Sequence, residues 1–272
     1  MGLLEIILLA VVQGVTEFLP VSSSGHLVVA SALLTALGQP EPQDLLEVSI
    51  VLHLGTLLSI LVFYWHRVWR LLGADRRVIG LLVVAMIPAV AVGLPIRIFA
   101  KETLESALLA GLMFPVTGAM LLWASRLPPG DRKYTELSYG QSLVVGLFQA
   151  FALLPGVSRS GSTIAAGLSV GLERSNAAAF SFLLAIPAIG GAGAYDVLKL
   201  LKERGTGEAT EAVATTPWPV LAIGFVLSFA VGLGALSWLV RWVEKGRLYY
   251  FAWWLIPLGI AVTAWQLSLG WS

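Results

Sequence analysis

The chain has 272 residues, of which 57% are hydrophobic and only 12% are charged, and its mean hydropathy is +0.85. A soluble domain carries roughly twice that charged fraction, so the composition predicts a single integral membrane domain over residues 1–272. The formal net charge of +1 argues against nucleic acid as a partner, and the lack of cysteine excludes a disulfide framework or a thiolate metal site.

Six apolar segments are near the ~20 residues that a membrane-spanning helix requires. They cover 45–65, 78–99, 104–123, 175–198, 218–240 and 248–270. Shorter apolar segments flank two polar, serine-rich loops, as the pairs 3–18 with 26–37 and 139–154 with 162–172. A short helix, a break rich in Pro, Ser and Gly and a second short helix predict a re-entrant hairpin, which is tolerated at membrane depth only inside protein or beside a wet cavity.

The two serine-rich loops lie half a chain length apart. VSSSGH at 21–26 and VSRSGST at 157–163 are offset by 136 residues, which is half of 272. Each half, 1–136 and 137–272, is then one re-entrant hairpin plus three spans. Because three is odd, the second half would enter the membrane from the opposite side, which is an inverted-topology repeat. The alternative is chance similarity between segments rich in small and apolar residues.

Basic residues predict the orientation, because Lys and Arg accumulate on the cytoplasmic side. Ten of them fall on one side, namely Arg67, Arg70, Arg76, Arg77, Arg126, Arg132, Lys133, Arg241, Lys245 and Arg247. Five fall on the other, namely Arg97, Lys101, Lys199, Lys202 and Arg204. The first side is therefore predicted to be cytoplasmic, with both termini and the polar loop 203–217 outside.

Glu17 is the first candidate for chemistry. It follows Gln13 by four residues, so the two side chains share a helix face within an apolar run. An unpaired carboxylate there costs several kcal/mol or becomes protonated. Its nearness to the serine loop favours a general base or a metal ligand, and the alternative is a carboxylate that caps the amides of the following hairpin.

The first loop offers hydroxyls and an imidazole. Ser22, Ser23 and Ser24 stand before a glycine, and one of them is expected to cap a helix that begins near His26. Three serines in a row also form an anion cradle at a helix N-terminus, and a hydroxyl beside a base can act as a nucleophile. His26 is predicted to take part in the chemistry. His53 either faces the same cavity or is a packed, hydrogen-bonded residue.

Arg159 lies in the middle of the second loop. A guanidinium at that depth is costly unless it meets an anion, and its planar fork suits phosphate oxygens. Ser158, Ser160 and Thr163 add hydroxyl and amide donors. The alternative is an arginine that reaches out to lipid headgroups. These residues favour an anionic, phosphate-like ligand.

Two stretches resemble the signature motifs of a known family. QGVTEFLPVSSSGH (Gln13–His26) and PGVSRSGST (Pro155–Thr163) resemble those of the undecaprenyl pyrophosphate phosphatase family, also called the bacitracin-resistance protein family. The resemblance implies a multi-pass enzyme of the bacterial inner membrane, with interleaved inverted repeats and a site open to the periplasmic face. Such an enzyme hydrolyses the C55 polyprenyl diphosphate to the monophosphate, depends on Mg²⁺ or Ca²⁺, and can form a homodimer.

The resemblance also implies roles for residues. The catalytic set would be Glu17, Ser23, His26 and Arg159, with Ser23 or His26 as the nucleophile; we expect Ser23, activated by Glu17 and His26. The groups expected to hold the diphosphate are Gln13, Ser22, Ser24, Ser158, Ser160 and Thr163. Glu17 is the expected metal ligand.

One position departs from the family pattern. The family often has Glu where this chain has Gln13, and a neutral amide is a weaker cation ligand and no base, so the carboxylate role moves to Glu17 alone. A transporter or flippase for an anionic lipid is the rival function, because inverted repeats with broken helices are typical of transporters. A structural membrane scaffold is a third possibility, and it leaves Arg159 unexplained.

Overall fold

The protein is helical throughout the residues that the computed structural model describes, which are 2–38, 45–99, 101–205 and 216–269. Apart from an isolated β-bridge between Arg132 and Leu172, these residues hold no strand. The helices are α1 (Leu3–Thr16), α2 (Ser23–Ala36), α3 (Leu45–Phe63), α4 (Trp65–Leu71), α5 (Arg76–Phe99), α6 (Lys101–Leu104), α7 (Ala107–Arg126), α8 (Tyr139–Phe151), α9 (Arg159–Ser169), α10 (Arg174–Gly205), α11 (Trp218–Glu244) and α12 (Ala252–Leu269). The predicted all-α class is confirmed.

Five helices in the described residues are long and apolar enough to cross a membrane. They are Arg76–Ile96, Ala107–Arg126, Arg174–Leu198, Trp218–Glu244 and Leu248–Leu269. A sixth crossing results only if α3 and α4 form one span, because an 81° bend separates them. The prediction of a multi-pass membrane protein is confirmed, with five or six crossings in place of a fixed six.

Part of the predicted outer loop and some of the basic side chains used to predict orientation lie outside the described residues. Residues 206–215 of the polar loop lie outside the described residues, as do the side chains of Arg97, Lys101, Lys199 and Arg204, which entered the orientation argument.

Short helices flank both serine-rich loops, as predicted. α1 and α2 have 14 residues each, α8 has 13 and α9 has 11, so none reaches the ~20 residues of a full span. α2 begins at Ser23 and α9 at Arg159, three residues before their predicted starts at 26 and 162. The reason is that the first serine of each loop, Ser22 or Ser158, occupies the N-cap, so the rest of the loop forms the first helical turn.

The first helix of each hairpin packs against a long helix from the other half of the chain. α1 lies along α11, and α8 lies along α5. Small residues permit the close approach of α1, since a Cβ at Gly14 would lie 2.9 Å from the side chain of Val231 and one at Gly232 would lie 2.8 Å from the ring of Phe18. Phe18 is fully buried and packs edge-on against Phe182 on α10, with 5.7 Å between ring centroids. This packing fixes the first loop beside the centre of the molecule.

Candidate active site

The two serine-rich loops use the same hydrogen bonds to start their helices. Ser22 Oγ accepts a hydrogen bond from Gly25 N at 3.3 Å, and Ser158 Oγ accepts one from Gly161 N at 3.1 Å. Ser22 has a φ of 65°, the left-handed conformation that side chains rarely adopt, whereas Ser158 is extended. The capping role expected for one serine of the first loop therefore belongs to Ser22.

The loops touch each other through their backbones. A Cβ at Gly25 would lie 2.6 Å from the backbone nitrogen of Gly156, and one at Gly161 would lie 3.1 Å from Cβ of Pro20. Thr117 Oγ1 donates to Gly156 O at 2.8 Å and accepts a hydrogen bond from the backbone N–H of Ser158 at 3.2 Å. Through these two bonds α7 holds the second loop in place. Glycine at these contacts is what allows the two loops to meet.

An ion pair joins the loops. Arg159 Nη2 donates to Glu17 Oε1 at 2.6 Å, across 142 residues of sequence. Gln13 Nε2 donates to the other carboxylate oxygen at 3.1 Å, and His53 Nε2 lies 3.7 Å from that oxygen. The Glu17 side chain is 8% exposed and that of Arg159 is 19% exposed. The pair explains how both charges are tolerated at this depth, and it excludes the alternatives of a carboxylate that merely caps amides and an arginine that reaches lipid headgroups.

The guanidinium of Arg159 is only partly satisfied. Its Nη1 is buried and has no hydrogen-bond partner among the described residues. A buried donor without a partner is costly, and a charged donor more so. The fork of Arg159 thus keeps one nitrogen available for a second anion after Glu17 has taken the other.

A polar cavity of about 290 Å³, including its open mouth, lies beside the ion pair. It is lined by Thr16, Glu17, Ser22, Ser23, Ser24, Ala152, Val157, Ser158, Arg159 and Ser160. The cavity is small and lined mainly by polar side chains, which suits a headgroup better than a whole lipid. The cavity brings together most of the predicted site residues from both loops.

Gln13 and Thr163 lie outside this lining, although both were expected to bind the diphosphate. Gln13 acts on Glu17, whose carboxylate it hydrogen-bonds. Thr163 is 1% exposed, and its hydroxyl bonds the Arg159 carbonyl at 2.9 Å and Ser181 Oγ at 2.6 Å. Thr163 therefore ties α9 to α10. It does not face the cavity because it sits on the buried side of α9, one turn after Arg159.

His26 also points away from Glu17. Its Nδ1 lies 2.9 Å from Ser22 O, and its Nε2 lies 3.1 Å from the indole nitrogen of Trp254. This contact could not be predicted from the sequence, because Trp254 is 228 residues away in an aromatic cluster typical of membrane interfaces. His53 combines features of its two predicted roles. Its Nδ1 lies 2.7 Å from Ser49 O in its own helix, as expected of a packed, hydrogen-bonded residue, and its Nε2 lies 3.7 Å from the Glu17 carboxylate, although His53 does not line the polar cavity.

A second, apolar cavity begins at the same arginine. It encloses about 1170 Å³ including open space, between α5, α8 and α10. Its lining includes Met86, Val90, Leu94, Leu153, Pro187, Ala188 and Gly191, and it shares Ala152 and Arg159 with the polar cavity. The polar cavity and the apolar cavity therefore adjoin at Arg159.

The described residues contain no group of three or more His, Asp or Glu side chains that could hold a metal ion. Among the described residues that line the polar cavity, Glu17 is the only carboxylate, and five serines line the cavity with it. These are hard oxygen ligands of the type that Mg²⁺ and Ca²⁺ prefer, but too few to hold either ion without oxygens from a ligand.

Comparison with known proteins agrees with this geometry. Residues 6–261 match the family model described as bacitracin resistance protein BacA. Similar proteins named undecaprenyl-diphosphatase occur in Rhodopirellula baltica, 50% identical over 96% of both chains, and in Desulfatibacillum aliphaticivorans, 39% identical over 95% of this chain and 98% of the relative. A third, from Bacteroides thetaiotaomicron, is 37% identical over 98% of this chain and all of the relative. The chain therefore belongs to the bacitracin resistance protein BacA family.

Proposed function

We propose that the protein hydrolyses undecaprenyl diphosphate to undecaprenyl phosphate and inorganic phosphate. The observation that carries the proposal is the position of Arg159, which lines both the serine-rich cavity and the apolar groove and whose buried Nη1 has no hydrogen-bond partner among the described residues. An anionic headgroup would complete the hydrogen bonding of this guanidinium. The names of the relatives point to the same reaction and do not favour the rival transporter.

Phosphoryl transfer requires mainly positioning and charge neutralisation, together with a nucleophile. In our proposal Arg159 binds the diphosphate, helped by the hydroxyls of Ser22, Ser24, Ser158 and Ser160. The Ser23 hydroxyl attacks the terminal phosphorus, the bond to the bridging oxygen breaks, and the lipid monophosphate leaves. Water then hydrolyses the phosphorylated serine to release inorganic phosphate. His26 is the alternative nucleophile.

Glu17 has two roles in this proposal. In the free protein it neutralises Arg159, as their 2.6 Å ion pair indicates. During turnover its carboxylate accepts the proton of the attacking hydroxyl. Gln13 and His53, which both lie against the second carboxylate oxygen, position it for this step.

A divalent cation fits the charge of the site. The charges of Glu17 and Arg159 cancel, so the cavity residues alone leave the several negative charges of a diphosphate uncompensated. We propose that Glu17 would hold Mg²⁺ or Ca²⁺ together with the bound diphosphate, and that the ion would supply the missing positive charge.

The biological setting follows from the substrate. We propose an inner-membrane protein whose halves form an inverted repeat with two re-entrant hairpins and a site open to the periplasm. Two observations support the repeat. The two loops have matching N-caps, and α1 and α8 each pack against a long helix from the other half of the chain. Removal of the lipid diphosphate would deplete the target of bacitracin, which accounts for the family's name. A homodimer stays a prediction.

Phosphate release tests the proposal directly. Purified protein in detergent with undecaprenyl diphosphate should release inorganic phosphate in stoichiometry with the monophosphate, and EDTA should stop the reaction until Mg²⁺ or Ca²⁺ is restored. Liposomes in which the lipid crosses the bilayer without cleavage would instead establish the transporter. Activity that is unaffected by EDTA would remove the cation from the proposal.

The apolar groove should hold the isoprenoid tail, because it is apolar along its length and meets the headgroup site at Arg159. Gly191 lines it, and a side chain there would enter open space without a clash. We expect Gly191→Trp to fill the groove and lower kcat/KM for undecaprenyl diphosphate roughly tenfold or more, with a much smaller loss for the short farnesyl diphosphate.

Gly190→Trp is the matched control for this prediction. Gly190 also opens into free space but does not line the groove, so its variant should keep the kcat/KM of both substrates. Equal losses for the two substrates in Gly191→Trp, or equal losses in the two variants, would place the tail elsewhere.

A further inference from the structure

His26 is held in one tautomer by its two hydrogen bonds. A backbone carbonyl can only accept, so the contact of Nδ1 with Ser22 O at 2.9 Å requires the proton on Nδ1. An indole N–H can only donate, so the 3.1 Å contact with Trp254 requires a lone pair on Nε2. His26 is therefore neutral, with Nε2 as its acceptor nitrogen.

The rings around His26 reinforce this arrangement. The Trp254 ring is nearly parallel to the imidazole, with 7° between planes and 6.3 Å between centroids, and Phe114 packs edge-on at 5.0 Å. Trp254 is nevertheless 56% exposed, whereas Phe114 is fully buried. Of the two aromatic neighbours, only Trp254 has room to move.

The Nε2 lone pair can serve one partner at a time. While it accepts the indole N–H, it can neither take a proton nor attack phosphorus. Whichever of these roles His26 has, its reactive nitrogen is blocked in the substrate-free protein until Trp254 withdraws. The exposed position of Trp254 on α12 gives it a route away from the imidazole.

We infer that Trp254 is a positioning residue that caps Nε2 of His26 in the free protein and releases it when the diphosphate lipid binds. The release step rests on the proposed function. The cap itself does not, since it stands on the hydrogen bonds of the substrate-free protein.

Replacement of Trp254 with phenylalanine tests the cap, because it keeps an aromatic ring beside the imidazole and removes the N–H. Diethyl pyrocarbonate reacts with an unprotonated imidazole nitrogen, and mass spectrometry of the digest assigns modification to each histidine. We expect the rate at His26 to rise roughly two- to tenfold in Trp254→Phe, the range that corresponds to the net free energy of one hydrogen bond. The ¹⁵N resonance of Nε2 should move toward that of a nitrogen without a donor.

Trp253→Phe is the control, since Trp253 is the neighbouring tryptophan, 73% exposed. It should leave both the rate and the resonance unchanged. The cap would be overturned if the modification rate and the Nε2 resonance of His26 were unchanged in Trp254→Phe. It would also be overturned if the modification rate rose equally in both variants. These measurements use no substrate, so their failure is distinct from a failure of phosphatase activity.

The release is tested on the wild-type protein with a methylene-bridged isoprenyl diphosphate, which cannot be cleaved at the diphosphate. At saturation, the Nε2 resonance should leave its Trp254-bound position. If it stays there in the saturated protein, the release is wrong and Trp254 holds His26 throughout.

Discussion

We expect Arg159→Ala to lower kcat/KM for undecaprenyl diphosphate by about 10²–10³-fold, the loss that follows when a principal contact to transition-state charge is removed. The variant loses the guanidinium whose Nη1 has no hydrogen-bond partner among the described residues, and it leaves the buried Glu17 carboxylate without its cation. Arg159→Lys should recover part of the activity, since it restores the charge but not the planar fork. The initial rate of phosphate release gives kcat/KM for the wild type, Arg159→Ala and Arg159→Lys.

Two controls separate this chemical effect from a loss of folding. Arg241→Ala removes an exposed guanidinium that, among the described residues, hydrogen-bonds a carbonyl of its own helix and no other group, and should leave turnover near the wild-type value. The double variant Glu17→Gln with Arg159→Met removes both charges, so it should unfold less easily than Arg159→Ala while it remains inactive. Near-native turnover in Arg159→Ala, or activity in the double variant, would contradict the role given to the pair.

Gly25→Ala is expected to have the second-largest effect, although it adds a single methyl group. The new Cβ would lie 2.6 Å and 2.8 Å from the N and Cα atoms of Gly156, and backbone atoms cannot rotate aside. We expect a free energy of unfolding lower by about 1–3 kcal/mol. Because the loops must separate, Glu17 and Arg159 move apart, and turnover should fall by about 10²-fold.

Gly190→Ala is the matched control for this substitution. Its Cβ would meet nothing within 4 Å, and alanine is the better helix former, so the variant should be as active and at least as stable as the wild type. A Gly25→Ala protein with wild-type melting temperature and turnover would show that the loops do not pack as described.

Local features of the site could be predicted from sequence. The serine loops, the short helices around them and an N-cap at one serine all follow from residue types over a few positions, and they are observed. The helix starts differ by three residues because propensity does not reveal which serine accepts the capping bond. The bend between α3 and α4 was missed because the apolar run continues through it and hydropathy reports only length and composition.

The tertiary contacts of the site could not be predicted from the sequence. The need of Glu17 and Arg159 for partners could be predicted from the cost of buried charge, but their pairing with each other is fixed by the glycine contacts between loops. His26 was expected beside Glu17 on the basis of proximity in sequence, yet the first turn of α2 directs it toward Trp254. Thr163 was placed in the site by its motif, whereas the helical periodicity of α9 turns it toward Ser181.

The contact between the two loops is the claim on which the site depends, and a disulfide tests it most directly. The chain has no cysteine, so a Pro20→Cys/Gly161→Cys protein carries only the introduced pair. The Cβ positions at these residues are 3.1 Å apart, close to the ~3.5–4.5 Å of a disulfide. We predict that mild oxidation of this protein in membranes gives the peptide linked between positions 20 and 161 in high yield, whereas Pro20→Cys/Gly190→Cys gives none. Free thiols at both positions after oxidation, in a protein that is folded, would contradict the account.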